Sequence, residues 1–441
     1  MATVEGGRVR ESLRESGLAL LDQGAVSLTS FATAVMLGRT AGPSELALYS
    51  LGLTLLLVLA TVQDSLVSTP YTVYGARLTA ADRAVYAGRT LLFQGLLALT
   101  AAASLASGGA LVLAGVGPAE LGRLLIVAAA VAPALGLREF GRRVSAAELR
   151  IGAALALDGS VGVVQGIGLL WLANRGTLSA TSGLALMGAA NACGALVWLA
   201  VWRRHGWIRL CRDRLGPVWR EHWALGRWVG ASRIAGHLGS DVLLLWLLTF
   251  ALGSTSAGAF AACLTVAFLT NPVVLGVGFF LTPKLAARRA AGGVPAVSRY
   301  ALGTTLVLGL LLAAFVAAVA VGGGSLIVTI YGPAYAGLGL AATTVAVAVA
   351  LGALGVGATN ALLVIERPAL NFLASLLGLV TMLASAAVLI PSHGVLGAAL
   401  SFCAGNAAQL LVRFALLARV VSVRPARRLA ATDLLSGEEA I

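Results

Sequence analysis

Apolar runs of about 20 residues, each long enough to cross a ~30 Å hydrocarbon core at 1.5 Å per residue, recur along this chain from end to end. Charged residues make up 11% of its 441 residues. A soluble domain carries roughly 25%, so this chain cannot cover itself with a water-facing surface. The pattern predicts an all-α polytopic membrane protein with about twelve transmembrane helices. The spans fall near 17–38, 45–68, 91–116, 121–137, 152–173, 181–202, 228–252, 256–281, 300–321, 337–365, 369–390 and 394–418.

The net charge of +13 follows topology rather than nucleic-acid binding. Of the 31 basic residues, all but Arg39, Arg123, Arg175, Arg233 and Arg413 fall on one side of the predicted spans. Basic loops stay in the cytoplasm, which places both termini there. The same surplus favours membrane lipids with anionic headgroups. Arg8, Arg10 and Arg14 precede a run long enough to span, with no small-residue cleavage site after it, which predicts an uncleaved first helix. Cys193, Cys211, Cys263 and Cys403 form no C-x-x-C pair and read as small core residues. The sequence carries no H-E-x-x-H, no P-loop and no Cys/His ligand set. No metal, cofactor or enzyme activity is therefore expected, and energy has to come from a gradient or from consumption of the product.

The longest polar interruption, 203–227, divides the spans six and six. It predicts an N-terminal lobe over 1–202, a connector over 203–227, a C-terminal lobe over 228–418 and a cytoplasmic tail over 419–441. Trp207, Trp219 and Trp223 among the connector's arginines suit an amphipathic segment at the cytoplasmic interface or a plain solvated link. The halves show weak self-similarity. Gly42 matches Gly253 and Tyr49 matches Phe260 at an offset of 211; Thr69-Pro70 matches Thr282-Pro283 at 213, and Asn191 matches Asn406 at 215. An even number of spans per half gives both the same orientation, with a substrate site expected between them. Gly226 and Gly230 form a small-x-x-x-small pair suited to close helix approach.

An ionisable side chain at mid-bilayer costs about 2.5–3.5 kcal/mol on insertion scales, so each one retained marks a candidate site. Arg233, His237 and Asp241 are spaced by four and would share one face of the seventh span. That face is expected to line a wet cavity or to form an internal ion-pair stripe. In the cavity, Arg233 would draw phosphate by charge-assisted hydrogen bonds, with His237 and Asp241 as proton carriers. Asp22 lies 211 residues before Arg233, at the equivalent depth of the other half, and the opposite signs point to a gate pair. Asp158 and Asn371 correspond at 213 and are expected at the cavity. Arg413, late in the last span, is expected to snorkel to the interface or to touch substrate. Asp64 reads as interfacial, and Tyr331, Pro333 and Tyr335 as a membrane-interface turn.

Three segments carry a family resemblance. GLALLDQGAVSLTSFATAVMLGRTAGPSELALYSLGLTLL (17–56) resembles the opening of polysaccharide-export and O-antigen (Wzx-type) flippases, in the multidrug/oligosaccharidyl-lipid/polysaccharide exporter superfamily. VTIYGPAYAGLGLA (328–341) is similar to that family's outer-face element before span ten. The segment 366–402, with Asn371, Ile390, Pro391, Gly394, Gly397, Ala398 and Ala399, resembles its most recognisable stretch. The family's Gly before the final aromatic is absent from Ser44–Tyr49. The resemblance implies two six-helix lobes forming a V around a central cavity in a bacterial cytoplasmic (inner) membrane. It further implies alternating-access flipping of a polyprenyl-pyrophosphate-linked glycan for cell-surface polysaccharide synthesis, with a proton or cation as coupling ion. A multidrug/cation antiporter of the same fold, which would favour acidic cavity residues such as Asp22, stays open. So does a non-transporting membrane component of polysaccharide assembly.

Overall fold

Glycines in left-handed conformation cut the apolar chain into helices. The computed structural model describes residues 24–436, apart from Ala76, Leu149, Arg214 and Gly239. Helix α1 (24–40) ends before Gly42, whose φ of 89° an L side chain rarely adopts, and Pro43 then opens α2 (Pro43–Gly75). Proline is well placed there, because the first helical N–H has no partner to lose. Thr79 caps α3 (Ala80–Leu111) by accepting from the Asp82 N–H. Helices α4 (Ala119–Ala147), α5 (Ile151–Asn174) and α6 (Ala180–Arg204) follow. A Ser179/Ser182 capping box opens α6, and the Glu45 carboxylate accepts from the Ala180 N–H at 2.6 Å.

Next come α7 (Leu215–Leu238), α8 (Asp241–Leu252) and α9 (Ser254–Ala267). Helix α10 (Asn271–Tyr331) is broken at Gly292 and Gly293. Helix α11 (Gly339–Val364) precedes α12 (Pro368–Ser436), which is broken at Gly394 with φ 57°. Among the described residues, 9 helices are long and apolar enough to cross a membrane, and α7 with α8 can make a further, broken span. Dividing α12 at Gly394 and adding α1 gives every predicted span a helical counterpart. The protein is a multi-pass, all-α membrane protein.

The helices form two compact units. The first holds the described residues up to His237 together with 252–262 and 330–335; the second holds 238–251, 263–329 and the described residues from Ala336 on. The segment 203–227, expected to stand between the lobes, belongs with the first unit. The Arg209 N–H donates to the Ala84 carbonyl at 2.9 Å, and Ile208 and Val218 join the core. Nothing breaks the helix between Leu215 and Leu238, so α7 carries straight through the predicted boundary. One side of it is buried, with Val218 and His222, while Trp219 and Trp223 on the other are exposed.

In lipid, packing rather than escape from water holds helices together. The first unit's core accordingly rests on large rings meeting small residues. Phe140 meets Trp198 edge-on at 6.1 Å, Trp198 covers Gly141, and its indole N–H donates to Ser145 Oγ at 2.9 Å. The expected turn forms at Pro333–Tyr335, and both Tyr331 and Tyr335 are almost fully buried against α1. A Cβ on Gly38 would lie 2.5 Å from the Tyr331 ring, and the Tyr335 hydroxyl donates to the Gly38 carbonyl at 3.2 Å. In the second unit, Leu285, Val297, Ala358 and Leu362 form a buried core beside the Arg289–Glu366 pair at 3.0 Å.

Local geometry repeats at the matched positions. Gly42 and Gly253 share φ values of 89° and 85°. Asn191 and Asn406 each donate from the side-chain amide to the carbonyl four residues back, at 2.6 and 3.0 Å. Ser44 and Thr255, 211 residues apart, join their hydroxyls at 3.1 Å.

Candidate functional site

Helix α2 changes pitch near its middle. Asp64–Ser68 form a π turn, a wider turn often found at functional sites. The Leu66 carbonyl in that turn accepts from His222 Nδ1 at 2.9 Å, and His222 Nε2 meets the Tyr86 hydroxyl at 2.8 Å. A carbonyl only accepts, so the imidazole proton sits on Nδ1 and Nε2 accepts from Tyr86. Four residues on, Gly226 presses against the same turn, where a Cβ would lie 2.6 Å from the Ser65 oxygen. These contacts draw α7 onto α2, and two turns further along Arg233 reaches the Asp64 carboxylate.

Asp64 lies between two cations. Its Oδ1 is 3.1 Å from Arg143 Nε, and its Oδ2 pairs with Arg233 Nη1. Both arginine side chains are 45% exposed, against 12% for Asp64. A second cluster sits nearby. Asp158, with a fully buried side chain, is held by Arg138 at 2.7 Å and Arg142 at 3.5 Å, and Arg138 also meets Glu139 at 3.2 Å. Burial separates their roles. A desolvated ion pair is costly to break and fixes structure, whereas the half-exposed arginines on Asp64 can exchange partners.

Both clusters border a cavity of about 670 Å³ within the first unit, walled by α1, α2, α4, α5, α6 and α7. Thr29, Thr61, Gln165 and Asn191 add polar groups to its wall. The Asn191 side-chain oxygen is buried behind that wall without a donor.

Of the residues singled out by sequence, Arg233, His237 and Asp158 line this cavity. Asp241 does not: α7 ends at Leu238 and Asp241 opens α8 in the second unit, so the spacing of four stops at the break. Asp22 lies outside the described residues; among those described, the carboxylate set against Arg233 is Asp64. Asn371 and Arg413 belong to the second unit and are not among the cavity's lining residues. Asn371 donates to the Thr359 carbonyl at 3.0 Å. Arg413 donates to Ser375 Oγ at 3.2 Å, lies over Gly355, and buries its Nε without an acceptor.

The sequence expectations missed Asp64, Arg138, Glu139 and Arg143 as cavity residues. The predicted fourth span ends at 137, but α4 continues to Ala147. The spacing Arg138, Glu139, Arg142, Arg143 keeps helical period and was the available signal.

No known protein family matches the chain by sequence, and no curated protein does. Solved structures do share its fold. The inward-facing conformation of a multidrug resistance MATE family transporter of the MOP superfamily matches with a TM-score of 0.75 and 16% identity, over 90% of this chain and 95% of that one. The outward-facing conformation of a multidrug resistance MATE family transporter of that superfamily matches at 0.66 and 15% identity, over 93% and 95%. A MOP superfamily transporter from Pyrococcus furiosus, described by a reverse polarity of its binding pocket that suggests a different function, matches at 0.66 and 15% identity, over 93% and 95%. At such identities the likeness is one of architecture. The chain has the fold of MOP-superfamily transporters.

Proposed function

We propose that this protein is an alternating-access transporter that flips a polyprenyl-pyrophosphate-linked oligosaccharide across the bacterial cytoplasmic membrane, with both termini on the cytoplasmic side. The observation that carries the proposal is the pair of half-exposed arginines, Arg143 and Arg233, at the cavity of the first unit. Guanidinium groups bind phosphate through forked, charge-assisted hydrogen bonds. Polar wall groups that keep some exposure, such as Thr29, Ser30 and Thr61, suit sugar hydroxyls. The prenyl tail stays in lipid, and His237, also on the wall, is the residue assigned to carry a coupling proton. That solved structures of this fold include inward- and outward-facing transporters supports the alternating-access part.

A multidrug or cation antiporter is the second reading, favoured by the carboxylates Asp64 and Asp158 at the cavity. Both are already neutralised by two arginines each, which leaves little to attract a cation. Depletion of the protein in its host separates the two readings. A flippase leaves lipid-linked precursor accumulating in the inner leaflet; an antiporter leaves precursor levels unchanged and raises sensitivity to cationic drugs.

A further inference from the structure

We infer that Asp64 occupies the place of the substrate's anion: its carboxylate fills a two-arginine oxyanion site, and a diphosphate enters by displacing it. The inference rests on the anionic-substrate reading above and adds to it an internal competitor. Each Asp64 oxygen meets a different guanidinium, Oδ1 with Arg143 and Oδ2 with Arg233. Two oxygens on one small centre, bridging two cations, is also how a phosphate group binds a pair of arginines.

Charge gives the exchange a direction. One carboxylate between two guanidiniums leaves a positive charge uncompensated. A diphosphate carries enough negative charge to neutralise both arginines, whereas a monoanion only repeats what Asp64 supplies. Exposure makes the exchange feasible, because 45% of each arginine side chain is accessible. Asp158 also faces two arginines, but its carboxylate is fully buried, so no ligand can take its place without dismantling the wall. Asp64 is also delivered by a specific device, since the π turn begins at this residue and is clamped from outside by His222 and Gly226.

The test uses the purified full-length protein in lipid nanodiscs, with inorganic pyrophosphate as the probe and calorimetry as the readout. A competitor that fills the site most of the time weakens apparent affinity by the fraction of time the site is open. Asp64→Asn should therefore bind pyrophosphate about tenfold more tightly than the parent. Arg143→Gln and Arg233→Gln should each lose most of the binding, and inorganic phosphate should gain less from Asp64→Asn. Asp64→Ser serves the same purpose if the amide does not fold. Unchanged or weaker binding in a folded Asp64 variant overturns the inference, as does binding that ignores both arginine substitutions. Tighter binding by Asp64→Asn without precursor accumulation on depletion would leave the inference standing and sink the flippase reading. Accumulation without tighter binding would do the reverse.

Discussion

His222 donates its Nδ1 proton to the Leu66 carbonyl, inside the same π turn that carries Asp64. One bond therefore ties the helix bearing Arg233 to the turn bearing its partner. The position of Arg233 over Asp64 is set well before the two charges meet. Replacing His222 by Ala should leave both the Leu66 oxygen and the Tyr86 hydroxyl buried without their partner. A buried polar group left unpaired costs about 1–3 kcal/mol. Thermal unfolding should register that loss, and pyrophosphate affinity should change because Arg233 is no longer held in place. A stable variant with parental affinity would show that the bond does not position α7.

The two carboxylates of the cavity should respond differently to neutralisation. Asp158→Asn takes from Arg138, whose side chain is only 10% exposed, one of its two carboxylate partners and leaves it Glu139; the loss should be about 2–3 kcal/mol. Asp64→Asn removes pairs with half-exposed arginines and should cost about 1 kcal/mol or less. Denaturation of the two variants side by side, in one detergent, checks the ranking. Equal losses would contradict the division of roles.

Gly38 lies under the ring of Tyr331, where an added Cβ would approach to 2.5 Å. Gly38→Val must displace that ring and the Tyr335 hydroxyl bonded to the Gly38 carbonyl. Overpacking of this kind costs about 1–3 kcal/mol. Tyr335→Phe loses only the hydrogen bond and should cost about 1 kcal/mol. The difference in unfolding midpoint between the two variants tests whether packing or the hydrogen bond dominates.

Gly42 and Gly253 adopt nearly the same left-handed conformation ahead of their helices. Alanine at either position should destabilise by about 1 kcal/mol through backbone strain, and asparagine, which tolerates this region, by less. If the two sites rank the substitutions differently, the matched geometry does not reflect a matched requirement.

Much of this architecture is legible in the residues. Apolar length locates the helices because lipid imposes a minimum span, and glycine or proline marks where they turn. The site is harder to see. Hydropathy cannot distinguish a helix that ends from one that continues with charge, which is why Arg138 and Arg143 read as loop residues. The π turn leaves no signature in Asp64–Ser68, so Asp64 reads as interfacial. The offset of 211 predicts equal depth for Asp22 and Arg233; Asp22 lies outside the described residues, and among those described Arg233 pairs with Asp64 at the start of the π turn. Periodicity also fails at Leu238, because a helix face persists only while the helix does.

The extension of α4 to Ala147 bears on how the chain inserts. Arg138, Arg142 and Arg143 are engaged with carboxylates inside the first unit, so substituting any of them disturbs the folded wall as well as the count of basic residues that orients the chain. The arginines around the end of α6 and the start of α7 are not among the cavity's lining residues, and their charge bears on orientation alone. Mutating Arg203, Arg204 and Arg212 together should disturb insertion more than any change in the cavity, even though none of the three borders it.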